Sequence, residues 1–386
     1  MGAKRIGIGI LYTPNPNWVA GEYYVQNILS ALRHCEDSRL PEVIVYCYDK
    51  AQYEQLRSVT KYPYLKPRFI KQSHSHLYYF LHYRVQQIFK ISLPDADAYG
   101  YAYEKCAFIY PVTQLSYIAD KSKVVGWIPD FQERYLPEFF PEKDIANREK
   151  QQRSYIQNKC PIVFSSYDSL NDWKRFYPEA VDIKTFVLHF SVTHPDFSHI
   201  EISILKKRFG ISRDYMLCAN QFWKHKNHLF LFKAYHIAKQ KGFNKQLVCT
   251  GNLTDYRNPE YIKDIRNFIT DYHLEKDILL LGFIGREEQL CLMKHSYALV
   301  QPSLFEGWST VVEDAKCLNK FIFLSNLNVH KEQAPVNASF FSPHDVNDLA
   351  TQFTDVTPTA FPSDYSECMQ RSGEDFLHII QSLTKP

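Results

Sequence analysis

The sequence ALVQPSLFEGWSTVVEDAK, residues 298–316, combines an apolar run, a loop that Pro302 opens, and a helix that begins near Ser309. Glu306 lies in the loop, and Asp314 lies eight positions later, inside the helix. A helix N-terminus carries unpaired N–H groups and a partial positive charge, so it suits a phosphate, and acids at its edges accept hydrogen bonds from sugar hydroxyls. The stretch therefore predicts a site for a nucleotide sugar.

The same stretch resembles the Glu-x7-Glu signature of family 4 glycosyltransferases, which have the GT-B fold of two Rossmann-like domains facing a central cleft. The resemblance implies that Glu306 contacts the donor sugar. The second acid of the family binds the ribose, and here it is Asp314, one methylene shorter than the usual glutamate, or its neighbour Glu313. The residues expected to contact the diphosphate through their N–H groups are Gly307, Trp308, Ser309 and Thr310.

Outward from this stretch, the chain alternates apolar runs with amphipathic stretches, a pattern typical of an α/β protein with parallel sheets. Two such series are visible, and the polar segment SVTHPDFSH separates them. We therefore expect an acceptor-binding Rossmann-like domain at residues 1–192 and a nucleotide-sugar-binding one at 193–366. The resemblance implies that a last helix, within 367–386, crosses back to the first domain.

A basic motif, NQFWKHKNH, follows the first strand of the second series and begins a helix. It resembles the family's phosphate-binding Gly-Arg-x4-Lys element, with Lys226 at the lysine position and Gln221 at the arginine position. The resemblance implies that Lys226 neutralises the donor diphosphate, and Lys224 is the candidate for the second cation. A lysine near a helix N-terminus stabilises a leaving diphosphate without a metal ion.

Four more positions are expected at the cleft because of the resemblance. Gly21 belongs to a loop that faces the donor phosphates and the acceptor, and Gly251 belongs to a turn at the cleft edge. Phe283 follows a strand where the family lays backbone groups against the base, although core packing is an equal interpretation of this ring. Asp130 is expected to orient an acceptor hydroxyl or the donor sugar, with a purely structural loop as the alternative.

Composition excludes several classes of protein. The formal net charge of only +3 argues against a dedicated nucleic-acid binder. A dinucleotide fingerprint is absent, because Tyr12 stands where its third glycine belongs, and this weighs against a nicotinamide enzyme. The nine cysteines form no CxxC pair, which predicts buried thiols in a reducing cytosol. Neither a signal peptide nor an apolar run of ~20 residues is evident, so we expect a cytoplasmic protein.

Two segments have two interpretations each. Residues 66–90 mix basic and aromatic residues at helical spacing, so they predict a helix that packs on the core or lies on the inner face of the cell membrane. Asp95 and Asp97 resemble the metal-binding pair of the other large glycosyltransferase fold, but their Pro-led context favours a polar turn. We therefore predict no metal site and no cofactor.

Together these features predict a retaining, metal-independent hexosyltransferase that uses a UDP- or GDP-linked sugar. Its partners are then the nucleotide sugar and a glycan or lipid-linked acceptor, and its setting is surface polysaccharide or glycolipid assembly; retention and setting come from the resemblance. Glu306, Lys226 and Asp130 are the expected catalytic residues. A nucleotide-sugar epimerase on the same fold and a non-catalytic nucleotide-sugar-binding protein are the alternatives.

Overall fold

The computed structural model describes residues 5–14, 19–70, 106–115 and 121–384. Trp18, Asp95 and Asp97 lie outside these ranges, as does most of the segment 66–90. The interpretations of the basic-aromatic segment and of the aspartate pair therefore stay predictions.

Within the described ranges, parallel strands form two sheets, as the sequence pattern predicts. The first sheet has the order β3-β2-β1-β4-β5-β6-β7 and the second the order β10-β9-β8-β11-β12-β13. The strands are β1 (Gly7–Leu11), β2 (Glu42–Cys47), β3 (Leu65–Phe69), β4 (Ile109–Val112), β5 (Val124–Ile128), β6 (Ile162–Phe164), β7 (Thr185–Val187), β8 (Tyr215–Ala219), β9 (Gln246–Thr250), β10 (Ile278–Gly282), β11 (Ala298–Gln301), β12 (Ile322–Ser325) and β13 (Ala338–Phe341). The strand order reverses direction between β1 and β4 and between β8 and β11, and ligands of such sheets bind at these switch points.

Helices cover both faces of each sheet. Along β8, Met216 and Cys218 belong to one apolar cluster and Tyr215 and Leu217 to another, so the strand is buried on both sides. The α-helices are α1 (Val19–Leu32), α2 (Lys50–Thr60), α3 (Gln132–Tyr135), α4 (Glu142–Gln157), α5 (Tyr167–Phe176), α6 (Ile202–Phe209), α7 (His228–Gln240), α8 (Tyr261–Asp271), α9 (Arg286–His295), α10 (Thr310–Cys317), α11 (Asn328–Gln333), α12 (Val346–Asp355) and α13 (Ser366–Thr384). Short 3₁₀ helices span Asp37–Arg39, Lys121–Lys123, Pro137–Phe139 and Lys224–Lys226.

The last helix, α13, packs on the first sheet. Its Phe376 and Ile380 belong to the apolar cluster that also contains Ile28 of α1. Gly373 allows the two helices to approach closely, because a Cβ atom at this position would lie 2.5 Å from the carbonyl oxygen of Ala31. The domain limits 1–192, 193–366 and 367–386 stay a prediction.

Candidate active site

The loops that follow β8 and β11 meet at the switch point of the second sheet. The Nζ atom of Lys226 lies 2.6 Å from Oε1 of Glu306, and the backbone N–H of Leu304 donates to the carbonyl of His225. Asn227, in the left-handed conformation with φ of 61°, turns the chain from the 3₁₀ helix into α7. The structure thus brings the predicted phosphate-binding lysine and the predicted sugar-binding acid side by side.

Glu306 is ionised at neutral pH in spite of its burial. Burial alone raises its pKa, but the charge of Lys226, reinforced by hydrogen bonds from Lys226 and Ser303, outweighs burial and holds the pKa below the usual 4.5. The site therefore contains a paired cation and carboxylate in a region of low solvent access, where charge interactions are strong.

A buried glutamine, Gln301, also contacts Glu306. Its Nε2 atom donates to Oε1 of Glu306 at 2.7 Å, and its Oε1 atom accepts from Nδ2 of Asn220 at 2.7 Å. Sequence reasoning assigned Gln301 no role. The available signal was a polar residue that ends an otherwise apolar strand directly before Pro302.

Asp314 is fully engaged with protein partners. Arg286 forks across its carboxylate, with Nη1 2.8 Å from Oδ2 and Nη2 in contact with Oδ1, and Nε2 of His194 lies 2.8 Å from Oδ1. Burial raises the pKa of Asp314, but Arg286 and His194 lower it further than burial raises it. A ribose hydroxyl has to compete with these partners, so the ribose role predicted for Asp314 stays a prediction, and Arg286 is a cation that sequence reasoning missed.

Both carboxylate oxygens of Glu313 accept hydrogen bonds from other residues of the protein. Its Oε1 accepts from Lys316 at 3.0 Å and from Gln333 at 2.9 Å, and its Oε2 accepts from the hydroxyl of Tyr365 at 2.6 Å. These contacts tie α10 to α11 and to the segment before α13. A donor has to compete with these partners, so the donor-binding role of Glu313 stays a prediction.

Gly307 closes the cleft against the first half of the chain. A Cβ atom at this position would lie 2.3 Å from the carbonyl oxygen of Pro129 and 2.9 Å from Cβ of Asp130. Oδ1 of Asp130 accepts the backbone N–H of Gln132 at 3.1 Å and lies 3.6 Å from Nη1 of Arg148. Asp130 thus lies beside Gly307 of the donor loop, and its predicted role toward the acceptor or the sugar stays a prediction.

Two other residues of the predicted diphosphate loop, Trp308 and Ser309, form hydrogen bonds within the protein. The N–H of Ser309 donates to Oε1 of Gln333 at 3.1 Å, so a diphosphate has to compete for this group and its predicted role stays a prediction. The indole of Trp308 stacks on His189 and donates to the carbonyl of Phe190, so this side chain joins the two halves. Thr310 begins α10, and its helix N-terminus remains the element that suits a phosphate.

Gln221 braces the turn after β9 and does not supply a charge. Its Oε1 atom accepts the N–H of Asn252 at 2.8 Å, and Gly251, with φ of +133°, packs so closely that a Cβ atom there would lie 2.1 Å from the carbonyl oxygen of Asn220. The Nζ atom of Lys224 lies 5.0 Å from the ring centre of Phe139, in the first half. Gln221 carries no charge, and the donor-binding roles of Gln221 and Lys224 stay predictions.

Two other predicted residues lie at strand ends. Phe283 follows β10 with 58% of its surface exposed, so the interpretation of core packing is wrong and the ring is accessible to a ligand. Gly21 lies in the first turn of α1, which follows β1 at the switch point of the first sheet. Their contacts with a donor stay predictions.

A contact that the sequence did not predict joins the halves beside this site. Glu332 of α11 accepts the backbone N–H groups of Tyr167 at 2.6 Å and Asp168 at 3.0 Å, at the N-terminus of α5. Nε2 of His189 lies 2.6 Å from Oε1 of the same carboxylate. A carboxylate from one half thus stabilises a helix N-terminus of the other.

Comparison with known proteins gives matches of three kinds. Residues 202–357, which include Lys226, Glu306 and Asp314, match the family model of glycosyl transferases group 1. The O-antigen chain mannosyltransferase RfbU of Salmonella typhimurium is 26% identical over 162 residues, which are 42% of this chain and 41% of that protein. The aligned region is therefore less than half of this curated relative.

Solved structures are similar over nearly the whole chain. They include Anabaena Alr3699/HepE in complex with UDP and glucose (TM-score 0.61, 17% identity, 98% of this chain and 99% of that one) and a glycosyltransferase from Rickettsia africae ESF-5 (TM-score 0.61, 12% identity, 99% of each chain). WaaG, a glycosyltransferase involved in lipopolysaccharide biosynthesis, has a TM-score of 0.54 at 14% identity over 98% of this chain and 96% of its own. The predicted GT-B fold is confirmed.

Within the described ranges, no helix has the length and apolar character to cross a membrane.

Proposed function

We propose that this chain is a glycosyltransferase that moves a sugar from a nucleotide-diphosphate sugar to an acceptor hydroxyl. The observation that carries the proposal is the contact between Lys226 and Glu306 at the switch point of the second sheet. One group carries the charge that a diphosphate needs, and the other carries the acceptor oxygens that sugar hydroxyls need. The match of residues 202–357 to glycosyl transferases group 1 supports the same assignment.

In the proposed mechanism, the side chain of Lys226 and the N-terminus of α10 stabilise the charge that develops on the leaving diphosphate. Glu306 holds the sugar so that its anomeric carbon faces the acceptor. The bond from the anomeric carbon to the diphosphate oxygen breaks, and the bond to the acceptor oxygen forms. We propose that both events occur on one face, with the acceptor proton passing to the leaving phosphate, so that configuration is retained.

The names of the similar proteins support a setting and a class of donor. RfbU is named for O-antigen chains, WaaG for lipopolysaccharide biosynthesis, and HepE was solved with UDP and glucose. We therefore propose a UDP- or GDP-linked hexose as donor and a glycan or lipid-linked glycan as acceptor, in surface polysaccharide or glycolipid assembly. We propose a place in the cytoplasm or on the inner face of the cell membrane.

A panel of labelled UDP- and GDP-sugars, incubated with and without a lipid-linked glycan acceptor, tests the proposal. Acceptor-dependent release of nucleoside diphosphate supports glycosyl transfer. A changed sugar nucleotide without acceptor supports the epimerase instead, and a donor that binds and stays unchanged supports a non-catalytic protein. Repeating the active combination in EDTA tests metal independence, because complete loss of activity there favours a metal site.

A further inference from the structure

Gln301 occupies the centre of a buried hydrogen-bonded chain that joins the two loops of the site. Gln301 is fully buried and Asn220 is 5% exposed. The amide of Asn220, at the end of β8, donates to Oε1 of Gln301 at 2.7 Å, and Nε2 of Gln301 donates to Oε1 of Glu306 at 2.7 Å. The basic motif and the acidic loop are thus connected beneath the Lys226–Glu306 pair.

The direction of this chain is fixed by its end members. Asn220 donates through its nitrogen, so Gln301 presents its oxygen to Asn220 and its nitrogen to the carboxylate of Glu306. The same nitrogen lies 3.2 Å from the hydroxyl of Ser303 and 3.3 Å from that of Ser309. A side chain at this position must accept at one end and donate at the other, and a neutral amide meets both requirements.

Two side chains that donate to Glu306 converge on one of its oxygens, and Ser303 is a third hydrogen-bond partner of this carboxylate. Lys226 at 2.6 Å and Gln301 at 2.7 Å bind Oε1. Two donors on one oxygen fix the plane and the rotamer of the carboxylate. The position of the other oxygen, Oε2, is thereby fixed as well. Because Gln301 is neutral, a diphosphate that draws Lys226 toward itself would leave the hydrogen bond from Gln301 to Glu306 in place.

We propose that Gln301 is a positioning residue for donor-sugar recognition, which holds Glu306 through Oε1 so that Oε2 accepts a hydroxyl of the sugar. This inference rests on the proposed function. It separates two parts of donor binding: contacts with the nucleoside diphosphate do not need Gln301, whereas contacts with the sugar do.

Two substitutions test the proposal in the full-length protein. Gln301→Met keeps the approximate volume and removes both hydrogen bonds. Gln301→Glu places a second carboxyl group against Glu306, and two carboxyl groups at this distance share one proton. At low pH the shared proton supplies the missing hydrogen bond, and at high pH the two negative charges repel. The other ionisable groups that act on Glu306 are Lys226 and His330.

Gln246→Glu is the matched control, because Gln246 is a buried glutamine in the same sheet that contacts Ser212, Arg213 and Lys276 and not the cleft residues.

Calorimetry gives the affinity for each member of a panel of UDP- and GDP-sugars and for free UDP and GDP between pH 5.5 and 8.5. For Gln301→Met we expect a sugar nucleotide to lose about 10-fold in affinity relative to its free diphosphate, about the value of one charged hydrogen bond. For Gln301→Glu we expect a near wild-type ratio at pH 5.5 that falls as pH rises.

Gln246→Glu is expected to keep the wild-type ratio at every pH. Variants of Gln301 that keep the wild-type ratio across the pH range, or that lose free diphosphate and sugar nucleotide to the same extent, overturn the positioning role while leaving the proposed function intact. A wild-type protein that binds no member of the panel contradicts the proposed function and the inference together.

Discussion

Lys226 and Glu306 are eighty positions apart in the chain, yet Nζ of the one lies 2.6 Å from Oε1 of the other. Their loops follow β8 and β11, which are neighbours because the order of the second sheet reverses there. Without a donor, each residue neutralises the other in a region of low solvent access. We infer that a donor replaces this pairing, with its diphosphate on the lysine and its sugar on the carboxylate.

Substitution of Lys226 is expected to weaken binding of the nucleoside diphosphate itself. In Lys226→Ala we expect the affinity for free UDP or GDP, whichever the wild type binds, to fall about 10- to 100-fold, because a charge-assisted contact with phosphate is lost. Calorimetry measures the effect, and Lys245→Ala, at a lysine paired with the exposed Asp214, is the control. Equal affinities in the two variants would remove Lys226 from the phosphate site.

Loss of the carboxylate of Asp314 is expected to destabilise the fold. Asp314→Asn leaves Arg286 with one fewer buried counter-charge, and breaking such a pair costs about 3–5 kcal/mol. Urea unfolding measures the change, and Asp130→Asn, whose side chain is 25% exposed, is expected to change the free energy of unfolding by less than about 1 kcal/mol. A small effect at Asp314 would contradict the stabilising role of its pair with Arg286.

Acid sensitivity is expected to depend on His330. Burial lowers its pKa from 6.5 to about 4, with Lys226 acting in the same direction and Glu306 opposing it. The unfolded chain binds a proton below pH 6.5 that the folded chain excludes, so this residue contributes about 3 kcal/mol that is present above pH 6.5 and lost as pH falls to 4. His330→Gln should therefore flatten the curve of unfolding free energy against pH over this range.

The control for this experiment is the exposed histidine His344, whose replacement by glutamine should leave the curve of the wild type unchanged. Parallel curves for the wild type and His330→Gln between pH 4 and 6.5 would show that His330 titrates normally in the folded protein.

Closure of the cleft is expected to depend on the absence of a side chain at Gly307. Because a Cβ atom there would meet the carbonyl oxygen of Pro129 at 2.3 Å, Gly307→Ala separates the donor loop from the first half. We expect transfer to fall at least ~10-fold with little change in affinity for the free diphosphate, since misplacement by about 1 Å has such effects. Gly285→Ala is the matched control, because a Cβ at this position meets nothing within 4 Å. Equal rates in the two variants would show that the loop need not touch Pro129.

Local sequence patterns predicted those parts of the fold that are determined by residues close together in the sequence. Alternating apolar runs predicted the two sheets, and the order of strands then placed Lys226 beside Glu306. The pattern did not identify the partners Arg286, His194 and Gln301, because each comes from a different element and only tertiary packing joins them.

Glu313 and Asp314 show the same limit. Adjacent residues of a helix point about 100° apart, so these two side chains meet different partners. The partners of Glu313 come from α11 and from Tyr365, whose hydroxyl donates to Glu313 from 52 positions away. Sequence spacing alone does not identify these partners.

Glu306 is expected to serve the sugar of a nucleotide donor in a transfer reaction. The most direct test of this role compares wild type and Glu306→Gln for acceptor-dependent release of nucleoside diphosphate from the UDP- and GDP-sugar panel, with Glu288→Gln, from an ion pair with Arg208, as control. We predict acceptor-dependent release by the wild type and the control, and a rate at least ~100-fold lower for Glu306→Gln, equivalent to about 3 kcal/mol of transition-state stabilisation. Release by Glu306→Gln at the wild-type rate would contradict this role of Glu306.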